Sequence, residues 1–213
     1  MLESAGPGGY LGVDDLLNEL DKAFAALDNG GVVVFPTDTL YGLGADVFSL
    51  PALQRIFAIK GRPAELALPV LVAGLDQVES VALPMSNQAQ ELAERFWPGP
   101  LTLVMRRSPE LPDLVTGGAD TVAVRMPAHR IPLALARRLG RPITGTSANL
   151  SGQPDLLDLD SIENQLGNLV DYITRSGPPP EGTGSTVVDI TRNEPRLLRE
   201  GAISLEEIME TAG

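Results

Sequence analysis

Val32-Val33-Val34-Phe35-Pro36-Thr37-Asp38-Thr39-Leu40-Tyr41-Gly42-Leu43-Gly44 sets an apolar run directly against a polar, glycine-bearing segment. Val32 to Phe35 is short, rich in β-branched residues and closed by Pro36, which predicts a buried strand. The segment Pro36 to Gly44 then reads as a polar turn at a strand end, where α/β proteins place ligands. Thr37 and Thr39 offer hydroxyls, Tyr41 a phenol, and Gly42 and Gly44 close backbone approach. The same residues suit a tight structural turn equally well. Gly42-Leu43-Gly44 resembles the start of a dinucleotide fingerprint, but Val47 stands where its third glycine belongs.

Working outward, Leu16, Leu17, Leu20, Phe24 and Leu27 recur with the helical period behind the acidic start Asp14-Asp15, and Gly30-Gly31 ends that helix. Further strands are predicted at Val70 to Ala73, Leu101 to Met105, Thr121 to Val124, Ile143 to Gly145 and Thr186 to Ile190. Helical patterns fall at Pro51 to Ile59, Ser86 to Phe96, Ile131 to Leu139 and Ser161 to Leu166. A last helix begins at Ser204, where Ser204 and Glu207 have capping-box spacing. The alternation makes an α/β protein. Leu101 to Val124 contains no helical pattern, so the sheet is expected to be mixed.

The 213 residues are enough for one domain with a sizeable core. The net charge of −12 and an aromatic content of 4% disfavour a protein devoted to nucleic acid, which attracts basic, stacking faces. The absence of Cys excludes disulfides, thiolate metal sites and cysteine nucleophiles. Residues 1 to 15 lack a basic start and an apolar core, and no stretch approaches the ~18 apolar residues of a membrane span, so a cytoplasmic protein is expected.

The distribution of charge is more informative than its sum. Arg55, Lys60 and Arg62 have no acid among them, and Arg125 to Arg141 carries five arginines, His129 and no acid. Basic stretches inside an acidic chain suggest a focused site for a small anion, although Arg137, Arg138 and Arg141 read first as a solvated helix face. Lys60-Gly61-Arg62-Pro63 could clamp phosphates, Arg as a planar fork and Lys as a point charge, or simply close a helix C-terminus. Arg125 ends an apolar strand, where clefts open. Thr146 to Asn149 follows the next strand with uncharged hydrogen-bonders, and Gly182 to Thr186 and Arg199-Glu200-Gly201 could each close over an anion.

Absences narrow the chemistry. There is no Gly-Lys pair for a phosphate loop, and His129 as sole histidine rules out clustered-histidine metal sites. A serine hydrolase would need Ser147 with His129, but the elbow pattern fails at Asn149. Magnesium carried by nucleotide phosphates fits, because it needs few protein ligands.

PTDTLYGLG at 36–44, KGRP at 60–63, PGPLT at 98–102, TVAVRMP at 121–127, TSANLSG at 146–152, STVVD at 185–189 and LREGAI at 198–203 together resemble the YrdC-like family of threonylcarbamoyl-AMP synthases. The resemblance covers about residues 14 to 203, and 1–213 is read as a single YrdC-like catalytic domain of the single-domain type. It implies a twisted mixed α/β sheet with flanking helices around a concave, positively lined cavity. It implies a nucleotidyltransferase that converts ATP, L-threonine and bicarbonate to L-threonylcarbamoyladenylate and pyrophosphate, supporting N6-threonylcarbamoyladenosine in tRNA. Carried over by motif, Thr37, Arg125, Gly145 and Ser185 would hold threonine, with Arg125 on its carboxylate. Lys60, Arg62, Thr121, Ser147, Asn149 and Arg199 would hold ATP, and Lys60 and Arg62 would be the catalytic pair. Magnesium would ride on the ATP phosphates with no protein metal site. Downstream threonylcarbamoyl transferase proteins would be partners, with direct tRNA binding weak or absent.

The chain departs from the family after KGRP. Many members have an asparagine before a Pro-Leu pair and then a histidine, whereas Ala64 to Leu71 has neither, so backbone groups would have to substitute. Two other readings remain at this level: a diverged nucleotide-binding paralogue, and an RNA-binding module of the same fold.

Overall fold

In a computed structural model, which describes residues 13–192 and 194–212, the chain order is as follows. Helix α1 (Val13–Asp28) leads into the hairpin β1 (Val33–Pro36) and β2 (Tyr41–Gly44), then α2 (Leu50–Lys60), β3 (Val70–Leu71), α3 (Leu75–Val81) and α4 (Asn87–Phe96). Next come β4 (Leu101–Arg106), the single turn α5 (Asp113–Thr116), β5 (Thr121–Arg125), α6 (Arg130–Leu139), β6 (Ile143–Thr144) and β7 (Thr146–Ser147). The chain continues through α7 (Leu159–Leu166), β8 (Tyr172–Ile173), β9 (Thr186–Asp189), β10 (Arg196–Arg199) and α8 (Leu205–Thr211). The N-terminal stretch read for a targeting signal falls largely outside the described residues. Among those described, no helix is long and apolar enough to cross a membrane.

Two mixed sheets result. One runs β7-β2-β1-β8 and the other β10-β9-β4-β5-β3-β6. The antiparallel β4–β5 pair, joined without a crossover helix, contributes to the mixing of the larger sheet, as the sequence predicts, alongside antiparallel β9–β10 and β3–β6. β1 lies between β2 and β8 and is buried on both faces. Val32 and Val34 join the larger apolar cluster, while Val33 and Phe35 join a second cluster with Leu27, Leu71, Ile131 and Leu135. Opposite faces packed on separate cores explain why this strand reads as an unbroken apolar run rather than an alternating one.

The expected polar turn is instead a hairpin, with Phe35 opposite Gly42 and Val33 opposite Gly44. A Cβ on Gly42 would come within 2.7 Å of the Phe35 ring, and one on Gly44 within 2.3 Å. The close approach these glycines permit is therefore to Phe35. Past β6, Gly145 carries the chain from the larger sheet to the smaller, since β6 pairs with β3 and β7 with β2. A Cβ there would meet Leu71 at 2.4 Å, so the crossing is packed to backbone thickness.

Arg137, Arg138 and Arg141 are more engaged than a solvated face requires. Arg138 pairs with Asp21 and stacks 4.2 Å from the Phe24 ring centroid, tying α6 to α1. Arg137 donates to Ala73 O, and Arg141 pairs with Asp46 at 2.8 Å. Arg55, counted among the central cations, pairs with Asp171. These cations brace the fold.

Candidate active site

A cavity of about 490 Å³ opens where the two sheets meet. Strand parity builds its floor. Leu101, Leu103, Val122, Val124 and Val188 join the apolar core. The intervening Thr102, Ala123, Arg125 and Val187 line the cavity, together with Ser185 just before β9. The β1–β2 turn, β7, the end of the Gly177–Gly184 loop and the residues after β10 contribute the walls. A larger hollow of about 770 Å³ between α3 and α4 is mostly apolar and has no basic side chain in its lining. Convergent polar groups mark the smaller cavity as the site.

Arg125 is its most constrained cation. The side chain is 7% exposed, and its guanidinium is held on three sides: Nε donates to Gly99 O at 2.9 Å, Nη1 to Thr39 Oγ1 at 2.6 Å, and Nη2 to Asp38 Oδ1. Guanidinium has five N–H groups, so two have no acceptor among the described residues. Burial pushes the guanidinium pKa down, and the Asp38 carboxylate works against that. Thr37, also on the cavity wall, closes its own turn: Oγ1 donates to Leu40 O at 2.7 Å and accepts the N–H groups of Thr39 and Leu40. Ser185 Oγ lies 2.8 Å from Thr102 Oγ1 and accepts from Arg199 Nη2 at 3.0 Å. A register shift between Leu197 and Arg199 interrupts the β9–β10 ladder, a device that re-aims a side chain, and Arg199 reaches back over Ser185.

The KGRP segment divides its two cations. Gly61 ends α2 in the left-handed conformation, φ 58°, with Arg62 N donating to Phe57 O. Arg62 lines the cavity, its guanidinium donating to the carbonyls of Leu66 at 3.3 Å and Ala67 at 2.8 Å. Backbone groups of the segment without the family Asn and His thus fix an arginine. Lys60, expected to meet phosphate, is 3% exposed and absent from the lining. Its Nζ donates to Ser147 O at 2.5 Å, Asn149 O at 2.8 Å and Asn149 Oδ1 at 3.0 Å, which uses all three N–H groups of an ammonium. Burial, reinforced by Arg62 nearby, lowers its pKa to about 8, with Asp155 opposing.

The remaining expected residues separate in the same way. Ser147 and Gly145 line the cavity. Asn149 lies behind it, Oδ1 accepting from Lys60 and Ser147 and Nδ2 donating to Gln153 O at 2.6 Å. Thr121 shares the face of Ala123 and Arg125 but pairs with Arg106 at the far end of β5, roughly 13 Å along the strand from Arg125, and does not line the cavity. Asp38 and Thr102 went unrecognised as site residues although both stand in quoted motifs, because an acid in a turn and a threonine in an apolar strand give no local sign of the partner each meets. Asp155 and Glu200 also line the cavity, so its three arginines are partly balanced. His129 caps α6, its Nδ1 accepting from Ile131 N–H and Nε2 facing Pro178 O at 3.3 Å; it plays no part in the cavity lining.

The family Sua5/YciO/YrdC, described as telomere recombination, matches residues 25–201. The chain belongs to this family. A threonylcarbamoyl-AMP synthase of Pyrococcus abyssi is 45% identical over 184 residues, covering 86% of this chain and 54% of that protein. One from Vibrio vulnificus is 37% identical over 188 residues, covering 87% of this chain and 100% of that protein. The crystal structure of P. abyssi Sua5 complexed with L-threonine superposes with a TM-score of 0.87 at 43% identity, over 91% of this chain and 57% of that one. The Sua5/YciO/YrdC chain thus spans about half the length of its Pyrococcus relative and the whole of its Vibrio relative. The mixed architecture expected from the resemblance is the one found.

Proposed function

We propose that the protein is an L-threonylcarbamoyladenylate synthase, a nucleotidyltransferase that joins L-threonine, bicarbonate and ATP into threonylcarbamoyl-AMP with release of pyrophosphate and water. The product would supply threonylcarbamoyl transferase proteins that modify tRNA, the acidic surface leaving tRNA binding to them. The observation that carries this reading is the buried Arg125, two of whose N–H groups have no acceptor among the described residues, in one cavity with Arg62 and Arg199. That set suits a substrate carboxylate beside a polyphosphate.

On this reading Arg125 binds the threonine carboxylate, with Thr37, Gly145 and Ser185 shaping the pocket around it. Arg62, Arg199 and Ser147 receive the nucleotide and its phosphates, and magnesium arrives on those phosphates. The threonine amine attacks the bicarbonate carbon, whose C–OH bond breaks as the hydroxyl leaves as water with an amine proton; the resulting carbamate oxygen then attacks the α-phosphorus, breaking its bond to the β-phosphate bridging oxygen as pyrophosphate leaves. Both steps bring anions together, and preorganised guanidinium groups in a dehydrated cavity offset that repulsion while alignment supplies much of the rest. No protein nucleophile is needed. Lys60 and Asn149 serve by holding the Ser147 segment in place, and Thr121 lies outside the cavity.

Incubation with ATP, L-threonine, radiolabelled bicarbonate and magnesium should give a labelled adenylate and stoichiometric pyrophosphate, each dependent on threonine. Folded protein that forms neither would sink the proposal.

A further inference from the structure

Asp38 sits in the turn between β1 and β2 with its side chain 14% exposed. Oδ1 accepts from Arg125 Nη2 and from the backbone N–H of Ala128 at 3.1 Å. Oδ2 is buried with no hydrogen-bond partner among the described residues. The turn itself is tied to the Gly177–Gly184 loop, because Glu181 N–H donates to Asp38 O at 3.2 Å and Gly182 N–H to Thr39 O at 2.9 Å. Asp38 is therefore fixed by two other segments before it meets Arg125. It is also absent from the cavity lining, so it reaches the site only through that guanidinium.

Of the three acceptors around Arg125, Gly99 O and Thr39 Oγ1 are neutral, and Asp38 alone carries charge. Three acceptors on three different nitrogens leave a planar group no rotational freedom. A buried ion pair that leaves one carboxylate oxygen unsatisfied is a poor device for stability, since an apolar pair would avoid both desolvation and the unmade bond. The pair does accomplish one thing an apolar pair would not: it holds a charged guanidinium, with spare donors, at the wall of an anion cavity.

We propose that Asp38 is a positioning residue for the amino-acid substrate, fixing the Arg125 guanidinium so that its two unengaged N–H groups meet the substrate carboxylate. This rests on the assignment of Arg125 to that carboxylate. The competing effect has the opposite sign: Asp38 holds a cation that the substrate carboxylate would otherwise take. The two effects separate cleanly by affinity.

The test measures L-threonine and ATP binding to the full chain by calorimetry, and both KM values, in wild type, Asp38→Ala and Asp38→Asn. Asp38→Ala should weaken threonine binding by roughly tenfold to a hundredfold, the scale of a misplaced binding group, with ATP affinity within about twofold. Asp38→Asn keeps an acceptor at the Oδ1 position and should fall between Asp38→Ala and wild type. Threonine binding by Asp38→Ala as tight as, or tighter than, wild type overturns the proposal. So does an equal loss of both ligands, which a merely structural role would produce. Should Asp38→Ala fail to fold, Asp38→Asn decides, and an unchanged threonine KM there overturns it. A wild type that binds no threonine overturns the assignment of Arg125 as well, whereas wild-type binding with insensitive variants overturns the role of Asp38 alone.

Discussion

Arg125 and Lys60 are both buried cations at the end of a secondary-structure element, and both stand in segments that read as anion binders, yet the fold uses them differently. Arg125, which lines the cavity, meets three protein acceptors and has two N–H groups with no acceptor among the described residues. Lys60 also meets three acceptors, and these exhaust it. The difference is one of donor number. A guanidinium can be anchored and bind at the same time, whereas a buried ammonium anchored this well has nothing left for a ligand. On the proposed function, the Arg125 region is a binding device with a scaffold, whereas Lys60 holds the Thr146–Asn149 segment.

The sharpest way to break this contrast is to truncate each cation. Arg125→Ala should weaken threonine binding by about a hundredfold or more, the scale of removing a buried charged partner, while ATP still binds in calorimetry. Lys60→Met should act mainly on folding: three carbonyl-type acceptors lose a charged donor, Asn149 Oδ1 and Ser147 O keeping only their neutral ones, and the denaturant midpoint should reveal a loss of about 3 kcal/mol. A Lys60→Met protein as stable as wild type but unable to bind ATP would show that Lys60 is a ligand after all.

Protonation gives a subtler version of the same test. The Lys60 pKa of about 8 in the folded state lies below the unfolded value near 10.4, so between these limits the unfolded chain holds more protons. Stability relative to Lys60→Met should therefore rise by roughly 1–2 kcal/mol from pH 8 to 9.5 in paired denaturant titrations. A flat difference would place Lys60 in a more solvated setting.

The smallest effect belongs to His129. Its lowered pKa means that the unfolded chain protonates first as pH falls, so wild type should lose stability below about pH 6.5, a slope that His129→Ala should lack. At neutral pH that substitution removes a helix cap and should cost about 1 kcal/mol in thermal unfolding, with kcat within about twofold.

Much of this architecture is legible in the sequence. Strands such as β4 and β5 carry enough apolar residues to be read locally, and Ser204 and Glu207 do form the capping box their spacing predicts. The elements that escape are the short helix α3, the single turn α5 inside the stretch read as helix-free, and the strands β2, β7, β8 and β10, which are short and paired only because tertiary neighbours present an edge. Tyr41 to Gly44 shows this best, since its strand conformation depends on Phe35 lying across Gly42 and Gly44. In the site, Thr37, Arg62, Arg125, Gly145, Ser147, Ser185 and Arg199 reach the cavity. Lys60 and Asn149 do not, because a motif does not say which of its residues the chain has already saturated, and Thr121 does not because it lies at the far end of β5. Asp38 was hidden for the converse reason, since its significance lies in a partner 87 residues away.

The central claim is that one cavity has a carboxylate-binding element at Arg125 and a separate phosphate-binding element at Arg62. A crossed calorimetric titration of L-threonine and ATP against Arg125→Ala and Arg62→Ala tests it most directly. Arg125→Ala should lose threonine and keep ATP, and Arg62→Ala should lose about tenfold in ATP affinity, the scale of one charge-assisted contact, while keeping threonine. Both ligands weakened equally by both substitutions would contradict the account.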